Sequence, residues 1–370
     1  MRQYMPTGAP PSGAKVAWAR PGFDQASYDA SRAGRNAHAM HELYRRFPDD
    51  ELNPEVFAHW ASYGVRKEMF EAGTEHRYAV YTPTDMDPTQ RYALVYVSHG
   101  GREPINKTET SGFPALVGSQ KFICVLPNNL GESNEGVEEE FPRILGELVR
   151  AGYPIDHGRI YAAGYSAGSD ATGVLACVYP GVLAAVSPSP GGNLYAKGRW
   201  YADPTSYARN APYQLPLISV AGTMDGGDRY PLEESEHLAN FGIWMEHIAK
   251  VADFTAPSLA ESQELVTSSP DAAKRAFGFD FHRTFSTELE EVEWLVGDFL
   301  GPAGHVAARF VTGVGLPHAQ TGYHVPLIWD FIKHYSRDLT TGESIYSPVV
   351  IDGIRSAAAA SQQPAEQVAG

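Results

Sequence analysis

The stretch RIYAAGYSAGSDATGVLACV, residues 159–178, decides how the chain is read. Its opening residues form a short apolar run, and Ala171, Val174, Leu175 and Val178 then recur at helical spacing. Between the two stands Gly164-Tyr165-Ser166-Ala167-Gly168, a G-x-S-x-G set where a strand turns into a helix. At such an elbow the serine takes a strained backbone conformation and its hydroxyl stands above the sheet. Side chains at the flanking positions would clash as the chain reverses, which accounts for the two glycines. The new helix aims its free N–H groups at the same point, so the Ala167 N–H is read as a donor to an oxyanion forming beside Ser166. A turn serine with no chemical role is the bland alternative, and the strand–turn–helix context favours the nucleophile.

A serine hydroxyl needs a base, normally a histidine oriented by a carboxylate. In chain order the acid should follow the serine and the histidine should come last. LPLISVAGTMDGGDRYP (215–231) places Asp225 in a tight turn directly after an apolar strand, with Asp228 as the rival. Either aspartate can also serve only to cap that turn. Of thirteen histidines, His318 in GVGLPHAQ lies just after the last apolar strand and before the final helix, with His324 competing from the same loop. His305 and His334 read as structural. The second oxyanion donor is expected from VYVSHGGREP (95–104), where Gly101 follows a strand end, Gly100 and Arg102 being the neighbouring alternatives. His99 is read as a brace for that loop, and Glu109, Asn128 and Asn129 as residues able to line a pocket.

Apolar runs and helical patterns alternate around the elbow. HRYAVYTP (76–83) alternates like a half-buried strand, and YALVYVSHGG (92–101) and KFICVLPN (121–128) read as buried strands. EGVEEEFPRILGELVRAG (135–152) reads as a helix with acidic residues near its positive end. VLAAVSPSP and LPLISVAG supply further strands, ARFVTGVG another, and PLIWDFIKHY the closing helix. This order predicts an α/β fold with a mostly parallel central sheet flanked by helices, its chemistry at the carboxyl ends of the strands. Residues 1–75 are expected to be an extension packed on the core, with a helix over PEVFAHWASYGV capped by Asn53. The main domain is placed at 76–352, with an inserted lid- or rim-like segment at 232–300 that holds one helical stretch and two strands. Residues 353–370 are expected to form a flexible tail.

With 370 residues and 43% apolar composition the chain can bury a large core. A formal net charge of −15 disfavours nucleic acid and anionic membranes as partners. The chain as given shows no apolar leader pattern and no stretch of spanning length, so a cytoplasmic location and no membrane partner are expected, a trimmed leader being the open alternative. Cys124 and Cys177 lie in apolar runs and are read as buried hydrophobes. Self-association as a homo-oligomer stays open.

From Tyr92 to Asn193 the chain resembles an esterase family that includes polyhydroxyalkanoate depolymerase-like enzymes and feruloyl and acetyl-xylan esterases. The resemblance is carried by VSHGG, IDHGRIYAAGYSAGSDAT and LACVYPGVLAAVSPSPG, and more weakly by VAGTMDGGD and VGLPHAQ. It implies the α/β-hydrolase fold, hydrolysis of a carboxylic ester through an acyl-enzyme, and no metal or organic cofactor. The family's roles fall on Ser166, Asp225 and His318, with Gly101 and Ala167 as oxyanion donors. The chain departs from many relatives at Ser169-Asp170, where they carry a third glycine, and in its extension and insertion. Those departures point to a small or medium soluble ester as substrate partner instead of an insoluble polymer. An amide or peptide hydrolase with the same triad is the second enzymatic reading, and a non-catalytic hydrolase-fold binding module the reading from another class.

Overall fold

The structure is a computed structural model, and it describes residues 52–101, 105–109, 112–128, 136–189, 214–224, 254–255, 257–289, 292–317, 324–348 and 353–356. The first half runs α1 (Pro54–Ser62), β1 (Val65–Phe70), β2 (Tyr78–Pro83), β3 (Gln90–Ser98), α2 (Ile105–Glu109), α3 (Phe113–Gln120) and β4 (Ile123–Pro127). There follow α4 (Val137–Arg150), β5 (Ile155–Gly164), α5 (Ala167–Val178), β6 (Leu183–Pro188) and β7 (Leu217–Met224). The last part holds α6 (Leu259–Ser268), α7 (Ala272–Phe277), β8 (Arg283–Leu289), β9 (Val292–Leu300), β10 (Val306–Pro317) and α8 (His324–Ile332), then the short strands β11 (Tyr335–Arg337), β12 (Ser344–Tyr346) and β13 (Ile354–Ser356).

Among the described residues the main sheet has the order β1-β2-β4-β3-β5-β6-β7-β10-β9-β8. The strands from β4 through β3, β5, β6 and β7 to β10 are parallel, and antiparallel pairs close both edges. Strand order, crossover helices and an elbow at the end of β5 together make this the α/β-hydrolase fold, as expected from the residues. The period-2 alternation of β3 shows how the two cores form. Tyr92, Leu94 and Tyr96 join one core with Phe141, Ile144 and Leu148 of α4 and Leu175 of α5. Ala93, Val95 and Val97 join the other with Trp60 of α1, Leu116 of α3 and Ile328 and Trp329 of α8. Cys177 belongs to the first core and Cys124 to the second, so the sheet separates the two buried free thiols.

Local chemistry explains the helix starts. Asn53 caps α1, its side chain accepting from the Glu55 N–H at 2.9 Å, with Pro54 pre-set for the first turn. Ser258 and Glu261 form a capping box on α6.

Several segments sit differently from their expected description. All six residues of β2 are buried, not half of them, because the strand runs between β1 and β4 with a core on each face. β1 lies within the N-terminal stretch read as an extension, and it forms an edge of the main sheet. Residues 283–300 of the inserted segment form β8 and β9, which lengthen the sheet beside β10. Asp298 fastens this hairpin, accepting from Arg283 at 2.9 Å and from Arg309 at 2.7 Å. The helical stretch 237–252 lies outside the described residues. β13, at the start of the expected tail, pairs with β3, and residues 357–370 again lie outside the described residues. No helix among the described residues is long and apolar enough to cross a membrane.

Candidate active site

Five parallel strands present their carboxyl ends along one edge, and the registers level them in two groups, because Val186 of β6 pairs with Leu217 of β7 and so sets Met224 farther along than Pro188. Ser98 of β3 faces Gly164 of β5, Gly164 faces Pro188 of β6, and Met224 of β7 faces Pro317 of β10.

Ser166 follows β5 by two residues and has φ 53° and ψ −117°, a left-sided conformation that costs a non-glycine residue on the order of 1–3 kcal/mol. Backbone bonds on each side hold it there. The Tyr165 N–H donates to Ser98 O at 3.2 Å, the Gly168 N–H to Tyr165 O at 2.7 Å and the Ser169 N–H to Ser166 O at 2.8 Å. The flanking glycines are required by close approach: a Cβ at Gly164 would lie 1.9 Å from Gly168 O, and one at Gly168 would lie 2.2 Å from Ser98 O. The whole turn is therefore pressed against the end of β3. Although Ser166 stands at the N-cap of α5, its side chain makes no capping bond, and the residue is half-buried. The Ala167 N–H opens α5, in the first turn, where helix donors lack intrahelical partners.

The segment after Ser98 runs beside this turn. His99 is 1% exposed, and its Nδ1 lies 2.6 Å from Gly100 O. A carbonyl only accepts, so Nδ1 carries the proton. Burial pulls the imidazole pKa down to about 4, which keeps it neutral near pH 7. The contact ties the ring to the loop that His99 is read as bracing. Gly100 is buried and Gly101 exposed. Arg102 lies outside the described residues.

Asp225, Asp228 and His318 also lie outside the described residues. The residues just before Asp225 and His318, however, are the register-paired Met224 and Pro317 on neighbouring parallel strands. Between Gly313 and Pro317 the register of β10 slips against β7, a bulge of the kind that re-aims a strand end. Ser189 ties β6 to β7, accepting from the Val220 N–H at 2.8 Å through its hydroxyl, while its own N–H donates to Gly164 O at 2.9 Å.

His324 is the first residue of α8, 1% exposed, with its ring edge-on to Trp294 at 5.6 Å. His305 stacks on Tyr346 at 4.8 Å, and His334 lies 2.8 Å through Nδ1 from Ser347 O, both structural as expected. Asn128 spends its amides on the 75–77 turn, its N–H donating to Arg77 O and Nδ2 to Glu75 O. Glu109 does not line a pocket: it is 0% exposed, turned into the core. Asn129 lies outside the described residues. Among the described residues no group of three His, Cys, Asp or Glu side chains is arranged to hold a metal ion.

No family model matches the chain. A curated relative is poly(3-hydroxyalkanoate) depolymerase C of Paucimonas lemoignei, 32% identical over 114 residues. The aligned stretch covers 27% of this chain and 28% of that protein. Among solved structures, a feruloyl esterase module from Clostridium thermocellum overlaps 72% of this chain and 85% of its own at a TM-score of 0.41 and 14% identity. Acetyl xylan esterase from Aspergillus awamori overlaps 72% of this chain and 99% of its own at a TM-score of 0.45 and 12% identity. With overlaps this loose, the fold assignment rests on strand order and the elbow.

Proposed function

We propose that the chain is a serine hydrolase that cleaves a carboxylic ester through an acyl-enzyme. The observation that carries this reading is the backbone of Ser166, held at φ 53° between two glycines that admit no side chain, beside the end of β3. A fold tolerates such strain where the surroundings over-determine it, and the product here is an uncapped hydroxyl at the head of a helix. In this mechanism His318, oriented by Asp225, takes the Ser166 proton as Oγ attacks the carbonyl carbon. The tetrahedral oxyanion rests on the Gly101 and Ala167 N–H groups. His318 then protonates the leaving alcohol, and water, deprotonated by the same imidazole, releases the acid. The paired strand ends before Asp225 and His318 support that acid and base, and the inward-turned ring of His324 favours His318 over it.

An ester is favoured over an amide by the relative that shares 32% identity over 114 residues, a depolymerase of an ester-linked polymer. For this chain the substrate is a small or medium soluble ester. Matched p-nitrophenyl esters of graded acyl length and the corresponding p-nitroanilides test the reading. Ester kcat/KM is expected to exceed that of the matched amide by about 100-fold or more, on the order of 3 kcal/mol in transition-state free energy. Amide cleavage at equal or higher kcat/KM would replace the ester reading with a peptide or amide hydrolase.

A further inference from the structure

A pair of charges lies wholly inside the protein, on elements that the mechanism above does not use. Lys67 of β1 and Glu109 at the end of α2 are 2.7 Å apart, Nζ to Oε1, with both side chains 0% exposed. The same Glu109 oxygen accepts from the Trp60 indole N–H of α1 at 3.1 Å and from the Tyr81 hydroxyl of β2. The Lys67 ammonium also lies 5.5 Å from the centroid of the Phe57 ring. The other oxygen, Glu109 Oε2, is buried with no hydrogen-bond partner.

Such a cluster is a poor source of stability. Two charges removed from water regain little more than their desolvation cost, and apolar side chains of equal volume often do as well or better. What buried, directional bonds do supply is a fixed position. Three donors from α1, β1 and β2 converge on one oxygen, and the element they fix is α2. That helix begins four residues after Gly101, in the connection leaving the β3 end that is pressed against the elbow. Gly101 stands three residues after β3 and four before α2.

We propose that Glu109 is a positioning residue, whose clamp by Lys67, Trp60 and Tyr81 sets the placement of the Gly101 loop relative to Ser166. The inference rests on the reading of Gly101 as an oxyanion donor. Loss of the clamp leaves substrate binding unchanged and loosens the donor, which is used mainly in the transition state; a misplacement of about 1 Å can cost about 100-fold in rate.

The test compares two double variants with the parent on p-nitrophenyl butyrate, with kcat expressed per active site titrated to completion by a fluorophosphonate. Lys67→Met with Glu109→Leu removes both charges at similar volume. Lys67→Met with Glu109→Gln removes them but returns an acceptor to Trp60 and Tyr81. The first is expected to lower kcat about 10-fold at a KM within about 2-fold of the parent, and the second to recover most of that loss. A purely structural role would change the thermal midpoint and the titratable fraction and leave kcat per site equal in all three proteins, which would overturn the inference. If the leucine variant fails to fold, Trp60→Phe carries the test. It removes one donor to Glu109, and a kcat lower by about 3-fold at constant KM is expected, against an unchanged kcat that overturns the proposal. A parent that takes no fluorophosphonate at Ser166 would overturn the hydrolase reading itself, and this inference with it, a result distinguishable from equal kcat in labelled variants.

Discussion

Ser166→Ala is expected to lower ester kcat/KM by about 10,000-fold or more and to leave thermal unfolding where it is in the parent. The first half follows from chemistry: without Oγ no acyl-enzyme forms, and only the binding site and oxyanion donors are left to assist water. The second half follows from the elbow. The Ser166 side chain makes no capping bond, and the bonds that hold the turn run between backbone atoms of Tyr165, Ser166, Gly168, Ser169 and Ser98. Alanine meets the same positive φ at a similar cost. Steady-state kinetics and a thermal melt on one preparation check both halves, and a variant with parental turnover would remove Ser166 from the mechanism.

His318→Ala is expected to lose activity to a similar extent, about 10,000-fold, whereas His324→Gln keeps kcat/KM within about 10-fold. The distinction comes from the sheet. Pro317 is register-paired with Met224, so β10 and β7 end beside each other just before the two residues proposed as base and acid, while His324 packs edge-on to Trp294. Because base and nucleophile act as a unit, the double variant Ser166→Ala with His318→Ala should be no slower than either single one. Additive losses, or a dead His324→Gln beside an active His318→Ala, would move the base to another residue.

The elbow was legible in the sequence because its constraints are local. Two glycines that abut backbone atoms, a strand ending at one and a helix beginning at the other, all fall within residues 159–178. The parallel strands were legible for a similar reason, since burial on both faces turns β3, β4 and the second half of β5 into largely apolar runs. β1 was not. VRKEMF carries three charged residues in six, and Lys67 sits in the core only because Glu109, forty-two residues away in sequence, pairs with it. No local pattern reveals such a pair, and the same blindness made Glu109 look like a pocket residue. α3 was missed because FPALVGSQ is buried nearly all round and so lacks the amphipathic stripe that marked α4. For Asp225 and His318 the reading rests on chain order; both lie outside the described residues, and Met224 and Pro317 just before them are register-paired.

The most direct measurement is to treat the folded protein with a fluorophosphonate and locate the adduct by peptide mass spectrometry. One phosphonyl group per chain is expected, on the peptide that contains Ser166, and none on Ser166→Ala. Ester turnover by a folded parent that stays unlabelled, or an adduct that forms on a different residue, would contradict the assignment of Ser166 as the nucleophile.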